Sequence, residues 1–165
     1  MLKKVLMVLV SVIVLGVASG CSIIHTINGN VGLMEDYLEE TNVITDKYVN
    51  LHIQTSDYYM TATEEEIFQY TEETVIPSLE QLVADSEQYG EKIDNEKLQK
   101  VHELYTKSLQ MELDAEYQWL TDLDPESHMK TIREASRVDE EYKKELEDLA
   151  GQWGMEIEWE YYDLD

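Results

Sequence analysis

The sequence has few of the residues that mark disulfide-bonded, zinc-binding or nucleic-acid-binding proteins. Its 165 residues include one cysteine, which excludes an intramolecular disulfide and a multi-cysteine zinc site. Lys and Arg number 12 against 36 Asp and Glu, which gives a net charge of -24. A nucleic-acid binder needs basic residues to displace phosphate counterions, so that class is excluded. Only two prolines and seven glycines interrupt the chain, which favours long helices.

Motifs of common catalytic classes are also missing from the sequence. It contains no G-x-S-x-G, no glycine-rich phosphate loop and no H-E-x-x-H. A di-iron bundle needs Glu-x-x-His on two helices, and none of the four histidines has a glutamate three residues before it. We therefore expect no catalytic residue, no cofactor and no enzymatic activity. We place His52 and His102 at helix surfaces or boundaries and His128 in solvent.

The N-terminus has the pattern of an export signal. Lys3 and Lys4 precede an apolar run over residues 5–17, and the run ends in the segment Ala18-Ser19-Gly20-Cys21. This segment resembles the lipobox of bacterial lipoproteins, with Ala18 at a position that is usually leucine. The resemblance implies that residues 1–20 are a cleaved signal peptide and that Cys21 carries a diacylglyceryl group.

Such an anchor predicts a protein held at the cell membrane on its extracytoplasmic face. Two acyl chains give stable anchoring where one chain is marginal. The alternative is an uncleaved membrane helix, because residues 5–24 are uncharged and long enough to span a bilayer. Removal of residues 1–20 takes away two lysines and no acid, so the mature chain is more acidic still. We expect it to stand away from anionic surfaces or to attract cations.

The sequence predicts a lipidated tether over residues 21–30 and an all-α, antiparallel helical bundle over residues 31–152. Apolar residues recur at helical spacing in four long segments joined by short connections, which favours four helices in up-down-up-down order. The first helical pattern runs from Met34 to Tyr58. The alternative is a three-helix bundle in which this first pattern forms a membrane-proximal stalk.

Capping and breaking residues predict where the other three helices begin and end. Thr63 with Glu66 is a capping-box pattern, Asp94 or Asn95 is a candidate cap, and Asp124-Pro125 combines a cap with proline at the first helical position. Gly90 and Gly151 are expected to end helices. Pro77 is expected to kink the second helix.

The C-terminal tail, residues 153–165, has a different pattern. Apolar residues alternate with glutamates from Met155 to Tyr161, and this period of two predicts a short extended segment. It is expected either to pack on its own bundle or to pair with the edge of a partner.

Polar side chains fall on or beside the predicted helix seams. These residues are Thr41, Thr55, Glu72, Ser108, Glu112 and Asp139. Converging carboxylates at Glu72, Glu112 and Asp139 would be candidates for a divalent-cation site or an acid–base pair. The alternative is that these groups face water, and we assign no metal site.

Tyrosine is abundant, with 11 residues beside three tryptophans. Most are expected to pack in the bundle or at its boundary. Candidates for an aromatic face that binds a partner are Tyr58, Tyr59, Trp159, Tyr161 and Tyr162.

The region after Cys21 resembles small helical lipoproteins of Bacillus-type bacteria. The segments that carry the resemblance are Pro77-Ser78-Leu79, residues 102–105, Leu149-Ala150 and Gly154. It implies a helical surface protein and assigns no active-site residue.

Together these features predict a lipid-anchored, non-enzymatic helical module that binds another envelope component, with a protein as the expected partner. The first alternative is an acidic surface protein that binds or responds to divalent cations. The second alternative is a hydrolase that uses a carboxylate pair among Glu72, Glu112 and Asp139.

Overall fold

The computed structural model describes residues 10–14 and 21–159, and the side chains of residues 29–159. The helices are α1 (Cys21–Tyr59), α2 (Glu64–Tyr70), α3 (Ile76–Gly90), α4 (Glu96–Asp122) and α5 (Pro125–Gln152), with a π-helical turn at Thr71–Val75. The strands are β1 (Val10–Val14) and β2 (Met155–Trp159). Because α2, the π-helical turn and α3 follow one another without a break, they form one helical rod. The fold is therefore all-α with four long helices, as predicted.

The rods pack as neighbours in chain order. In the second rod, α3 packs between α1 and α4, and α4 packs along α5. Within the described part of the chain, α1 and α5 do not pack closely against each other. The bundle is thus closed on three sides and open on the fourth.

Side-chain caps fix the helix starts as the sequence predicts. Thr63 and Glu66 form the reciprocal capping box of α2. Asn95, rather than Asp94, caps α4, since its side chain accepts hydrogen bonds from two backbone N–H groups of the first turn. Asp124 caps α5, with Pro125 at the first position. Each cap satisfies donors that the first helical turn leaves without partners.

The second rod accommodates Pro77 through the π-helical turn before it. The N–H of Ile76 donates to the carbonyl of Thr71, five residues back. Proline has no N–H and crowds the preceding turn, and π-turns are one way in which a helix absorbs such a distortion. Residues in the turn are rotated relative to an uninterrupted α-helix, which changes the face on which they lie.

The first helix begins at Cys21, earlier than the predicted start at Met34. Residues 21–30 are therefore helical, and their role as a tether stays a prediction. No proline interrupts the segment, and Val31 and Met34 are both buried, which extends the apolar seam toward the N-terminus. Of the predicted signal peptide, residues 1–20, the structure describes β1, and the other residues lie outside the described part of the chain. None of the described helices has an apolar stretch long enough to cross a bilayer.

The described part of the tail is extended over Met155–Trp159, and the rest of the predicted segment lies outside the described residues. Along β2, Met155 and Ile157 are buried while Glu156 and Glu158 are exposed. The strand packs against α5, and the two buried side chains join the bundle core. It also pairs antiparallel with β1, with Met155 opposite Val14.

The closed side of the bundle, where α1, α3 and α4 meet, holds a buried histidine that was expected at a helix surface or boundary. His102 is 2% exposed, where a surface or boundary position was expected. Its Nε2 donates to the carbonyl of Ser86 at 2.8 Å, and its Nδ1 lies 3.2 Å from the Tyr37 hydroxyl. That hydroxyl lies 3.3 Å from the hydroxyl of Tyr142. Gly90 makes room for the ring, since a Cβ there would stand 3.0 Å from the imidazole Cδ2.

Candidate functional site

The open side of the bundle contains an elongated cavity of about 850 Å³. Helices α1 and α5 form its walls and α4 forms its floor. It extends from Leu38 and Lys143 at one end to Tyr59 and His128 at the other, and Trp159 of β2 also lines it.

The cavity exists because side chains along the α1–α5 seam are small or polar. On α5, Ala135 and Ser136 face the gap where a closed seam needs large apolar groups. On α1, Thr41, Asn42 and Thr45 do the same. The rest of the lining is largely apolar, with contributions from Leu38, Leu51, Val75, Leu109, Met129 and Ile132. The site is thus an apolar trough with polar groups at defined points.

Glu112 is the central polar group of the cavity. It is 8% exposed and projects from α4. The Tyr48 hydroxyl donates to its Oε2 at 2.7 Å, and His52 Nε2 lies 2.7 Å from its Oε1. Tyr48 and His52 are one turn apart on α1, so both reach the same carboxylate. The two bonds hold Glu112 in a fixed orientation.

This cluster perturbs the acid–base properties of its members. Burial of His52 disfavours its charged form, but the hydrogen bond and negative charge of Glu112, with the charge of Glu116, outweigh burial and raise its pKa. Desolvation, together with the charges of Glu112 and Asp139, raises the pKa of Tyr48. The phenol of Tyr48 is therefore a stable hydrogen-bond donor at neutral pH.

Two further acid–base pairs lie in the lining. His128 Nε2 lies 3.1 Å from Glu116 Oε1, and its side chain is 21% exposed. The expected solvated position of His128 is therefore wrong. Lys143 pairs with Asp139 at 2.7 Å, and its Nζ lies 5.9 Å from the centre of the Trp159 ring. Each carboxylate in the lining thus has a basic partner.

One hydroxyl in the lining is buried without a hydrogen bond. Thr55 Oγ1 has no partner among the described residues. Other hydroxyls there are used internally, because Thr41 donates to the carbonyl of Tyr37 at 2.7 Å and Ser108 to that of Tyr105 at 2.8 Å. A buried hydroxyl without a partner costs about 1–3 kcal/mol.

The predicted seam residues mostly converge. Thr41, Thr55, Ser108, Glu112 and Asp139 all line the cavity. Glu72 does not, because it lies in the π-helical turn and is exposed. The three carboxylates proposed for a cation or for hydrolysis therefore do not meet. Over the described residues, no group of three or more acidic, histidine or cysteine side chains is arranged to hold a metal ion.

Among the described residues, the aromatic candidates Tyr58, Tyr59 and Trp159 do not lie on one face. Tyr58 stacks on Tyr70 with ring centres 4.2 Å apart, and Tyr59 hydrogen-bonds to Thr71. Trp159 is half-buried and donates to Glu147. Tyr59 and Trp159 both line the cavity, at opposite ends. Tyr161 and Tyr162 lie outside the described residues.

Sequence reasoning missed the basic partners of the cavity carboxylates and one of the carboxylates. His52, Glu116, His128 and Lys143 all line the site, and none was a candidate. A signal exists for the first two, because Tyr48 with His52 and Glu112 with Glu116 are polar pairs spaced four residues apart beside the seam. The partner across the seam is not encoded in such spacing.

No protein family model matches the chain, and comparison with curated proteins and with solved structures finds no match either. The geometry of the cavity is therefore the basis for inferring a function.

Proposed function

We propose that this protein is a lipid-anchored lipoprotein of the extracytoplasmic membrane face that binds a small, largely apolar molecule in the α1–α5 cavity. The role is that of a binding module and not of an enzyme. The observation that carries the proposal is the cavity of about 850 Å³ on the open side of the bundle.

The size and lining of the cavity support ligand binding. Small-molecule sites measure about 300–1,000 Å³ and combine apolar walls with a few fixed polar groups. The walls here are aliphatic and aromatic, and Glu112 is fixed by Tyr48 and His52. A site of this kind binds mainly through burial of apolar surface, at about 25 cal/mol per Å². The polar groups then set the orientation of the ligand.

A probe-binding experiment tests this proposal. Nile red, an uncharged apolar dye, is expected to bind with a saturable rise in fluorescence. Ile132→Trp should abolish binding by filling the trough, because Ile132 lines it. Arg133→Trp is the matched control, since Arg133 is exposed, adjacent on α5 and not part of the lining. Ser136→Trp is a second filling variant at an exposed lining position. Equal binding by all four proteins would contradict the proposal.

The membrane anchor depends on Cys21. In the family that the segment before Cys21 resembles, lipidation of the thiol precedes cleavage. Cys21→Ala should therefore yield a protein that carries no lipid and retains residues 1–20. Metabolic labelling with a fatty-acid analogue checks this, and equal label on wild type and variant would refute the anchor.

The pairing of β2 supports a second candidate function, the binding of a partner protein by strand addition. If residues 1–20 are cleaved, β1 is lost and the edge of β2 that it occupies becomes available. A photo-crosslinking residue at Glu158, which is exposed on β2, should then capture a partner from native membranes. The same residue at exposed Glu140 of α5 should not, and equal capture at both positions would contradict this candidate.

A further inference from the structure

The polar groups of the cavity are unequally divided between acids and permanent bases. Among the described residues of the lining, Glu112, Glu116 and Asp139 supply three carboxylates, and Lys143 is the only lysine or arginine. Its Nζ already pairs with Asp139 at 2.7 Å. The remaining bases are two histidines, His52 beside Glu112 and His128 beside Glu116. An anionic head group would thus meet one lysine that already has a partner, while a cationic head group would meet three carboxylates, each with acceptor capacity left beside its one basic partner.

We propose that the cavity takes a single-chain apolar amine, with its ammonium group at Glu112 and its apolar part along the trough. This inference rests on the proposed function and names the chemical class of its ligand. A carboxylate offers about four acceptor sites, and Tyr48 and His52 occupy one on each oxygen of Glu112. Acceptor capacity therefore remains for an ammonium group.

Neighbouring groups complete the site for a cation of this kind. Thr55 lines the cavity, and its Oγ1 is buried with no hydrogen-bond partner among the described residues. The rings of Tyr48, Tyr105 and Tyr142 also line the trough, and aromatic faces attract organic cations. A divalent metal fits less well, because Ca²⁺ takes six to eight oxygen ligands. An ammonium group donates only three hydrogen bonds.

A head-group series tests the inference with probes of equal chain length. Decylammonium, decanoate and uncharged decyl glucoside are titrated below their micelle concentrations by calorimetry, in 0.15 M salt to screen the overall negative charge. Decylammonium should bind about tenfold or more tightly than decanoate. Glu112→Gln should remove most of that preference while decyl glucoside still binds. Asp139→Asn, a second variant, should reduce the preference less, because Lys143 occupies that carboxylate.

Glu72→Gln is the matched control, since it removes the same charge from an exposed site outside the cavity. An equal loss of preference in Glu72→Gln and Glu112→Gln would overturn the inference, because bulk charge would then explain it. Equal binding of the three probes, with Ile132→Trp still blocking them, would overturn the inference and leave the proposed function standing. If none of the three probes binds, both the inference and the proposed function are contradicted.

Lysophosphatidylethanolamine, a single-chain lipid with an amine head group, distinguishes two sources of the ligand. If it matches decylammonium and the effect is lost in Glu112→Gln, the inference holds with a membrane lipid as source. If only decylammonium binds in this way, the inference holds with a free amine as source.

Discussion

On the closed side of the bundle, where α1, α3 and α4 meet, His102 is 2% exposed and its hydrogen bonds stay within the core. On the open side, the His52 side chain is 50% exposed and pairs with Glu112 at the cavity. Burial lowers the pKa of His102, although its bond to Ser86 opposes the shift. Burial also opposes charge on His52, but Glu112 raises its pKa. The difference shows that one side of the bundle satisfies its polar groups for stability, while the other presents them to a cavity.

Core truncation should separate the two sides most strongly. Leu79 on α3 is fully buried, so Leu79→Ala should lower the free energy of unfolding by about 2–5 kcal/mol. Ile132→Ala on the cavity wall should cost less than half as much, because Ile132 already borders empty space. Urea unfolding of both variants measures this. Equal costs would mean that the open side is packed as tightly as the closed side.

Acid should act on the closed side through His102. The pKa of His102 is lowered in the folded protein. Its contribution to the free energy of unfolding is therefore fully present above the unfolded-state pKa of about 6.5 and is lost as the pH falls below that value. Wild type should lose up to about 1.4 kcal/mol more than His102→Gln between pH 7.5 and 5.5. Urea unfolding at both pH values gives this difference within each protein, whatever the variant's overall stability.

His52→Gln should change the pH profile in the opposite direction. The pKa of His52 is raised in the folded protein, so His52 stabilises the fold fully at pH values below its unfolded-state pKa. This stabilisation is lost as the pH rises through its folded-state pKa. Compared with wild type, His52→Gln should therefore lose more stability at pH 5.5 than at pH 7.5. Parallel profiles for His52→Gln and His102→Gln would contradict the contrast between the two sides.

Two glycine substitutions should give the smallest effects, with opposite signs. Gly151→Ala should stabilise by about 0.5–1 kcal/mol, because Gly151 is helical, exposed and has no atom within 4 Å of an added Cβ. Gly90→Ala should destabilise, because its Cβ would press on the buried ring of His102. Thermal unfolding compares the two, and a gain for both would show that the closed side tolerates expansion.

The existence of the helices and the starts of α2, α4 and α5 could be predicted from the sequence, because they depend on local patterns. The spacing of apolar residues and the caps at Thr63, Asn95 and Asp124 act within one or two turns. Glu72 was misplaced because the π-helical turn rotates its position relative to the α-helical repeat. Burial of His102 depends on the room left by Gly90 on another helix, which no local pattern contains.

The candidate site was only partly predictable for a related reason. Five of the six polar seam residues line the cavity because each helix phase follows from its own apolar pattern. The cavity itself depends on α1 and α5 standing apart, which is a relation between segments far apart in sequence. The pairing of Glu112 with His52 likewise becomes visible only once α1 and α4 are placed.

The most direct test of a ligand site on the open side is a methyl NMR titration of the protein with decyl glucoside. If the cavity binds the ligand, saturable shifts are expected at Leu51, Leu109 and Ile132, which line it. The signals of Leu79 and Leu98, which are buried on the closed side, should stay unchanged. Shifts spread equally over both sets, or confined to Leu79 and Leu98, would contradict it.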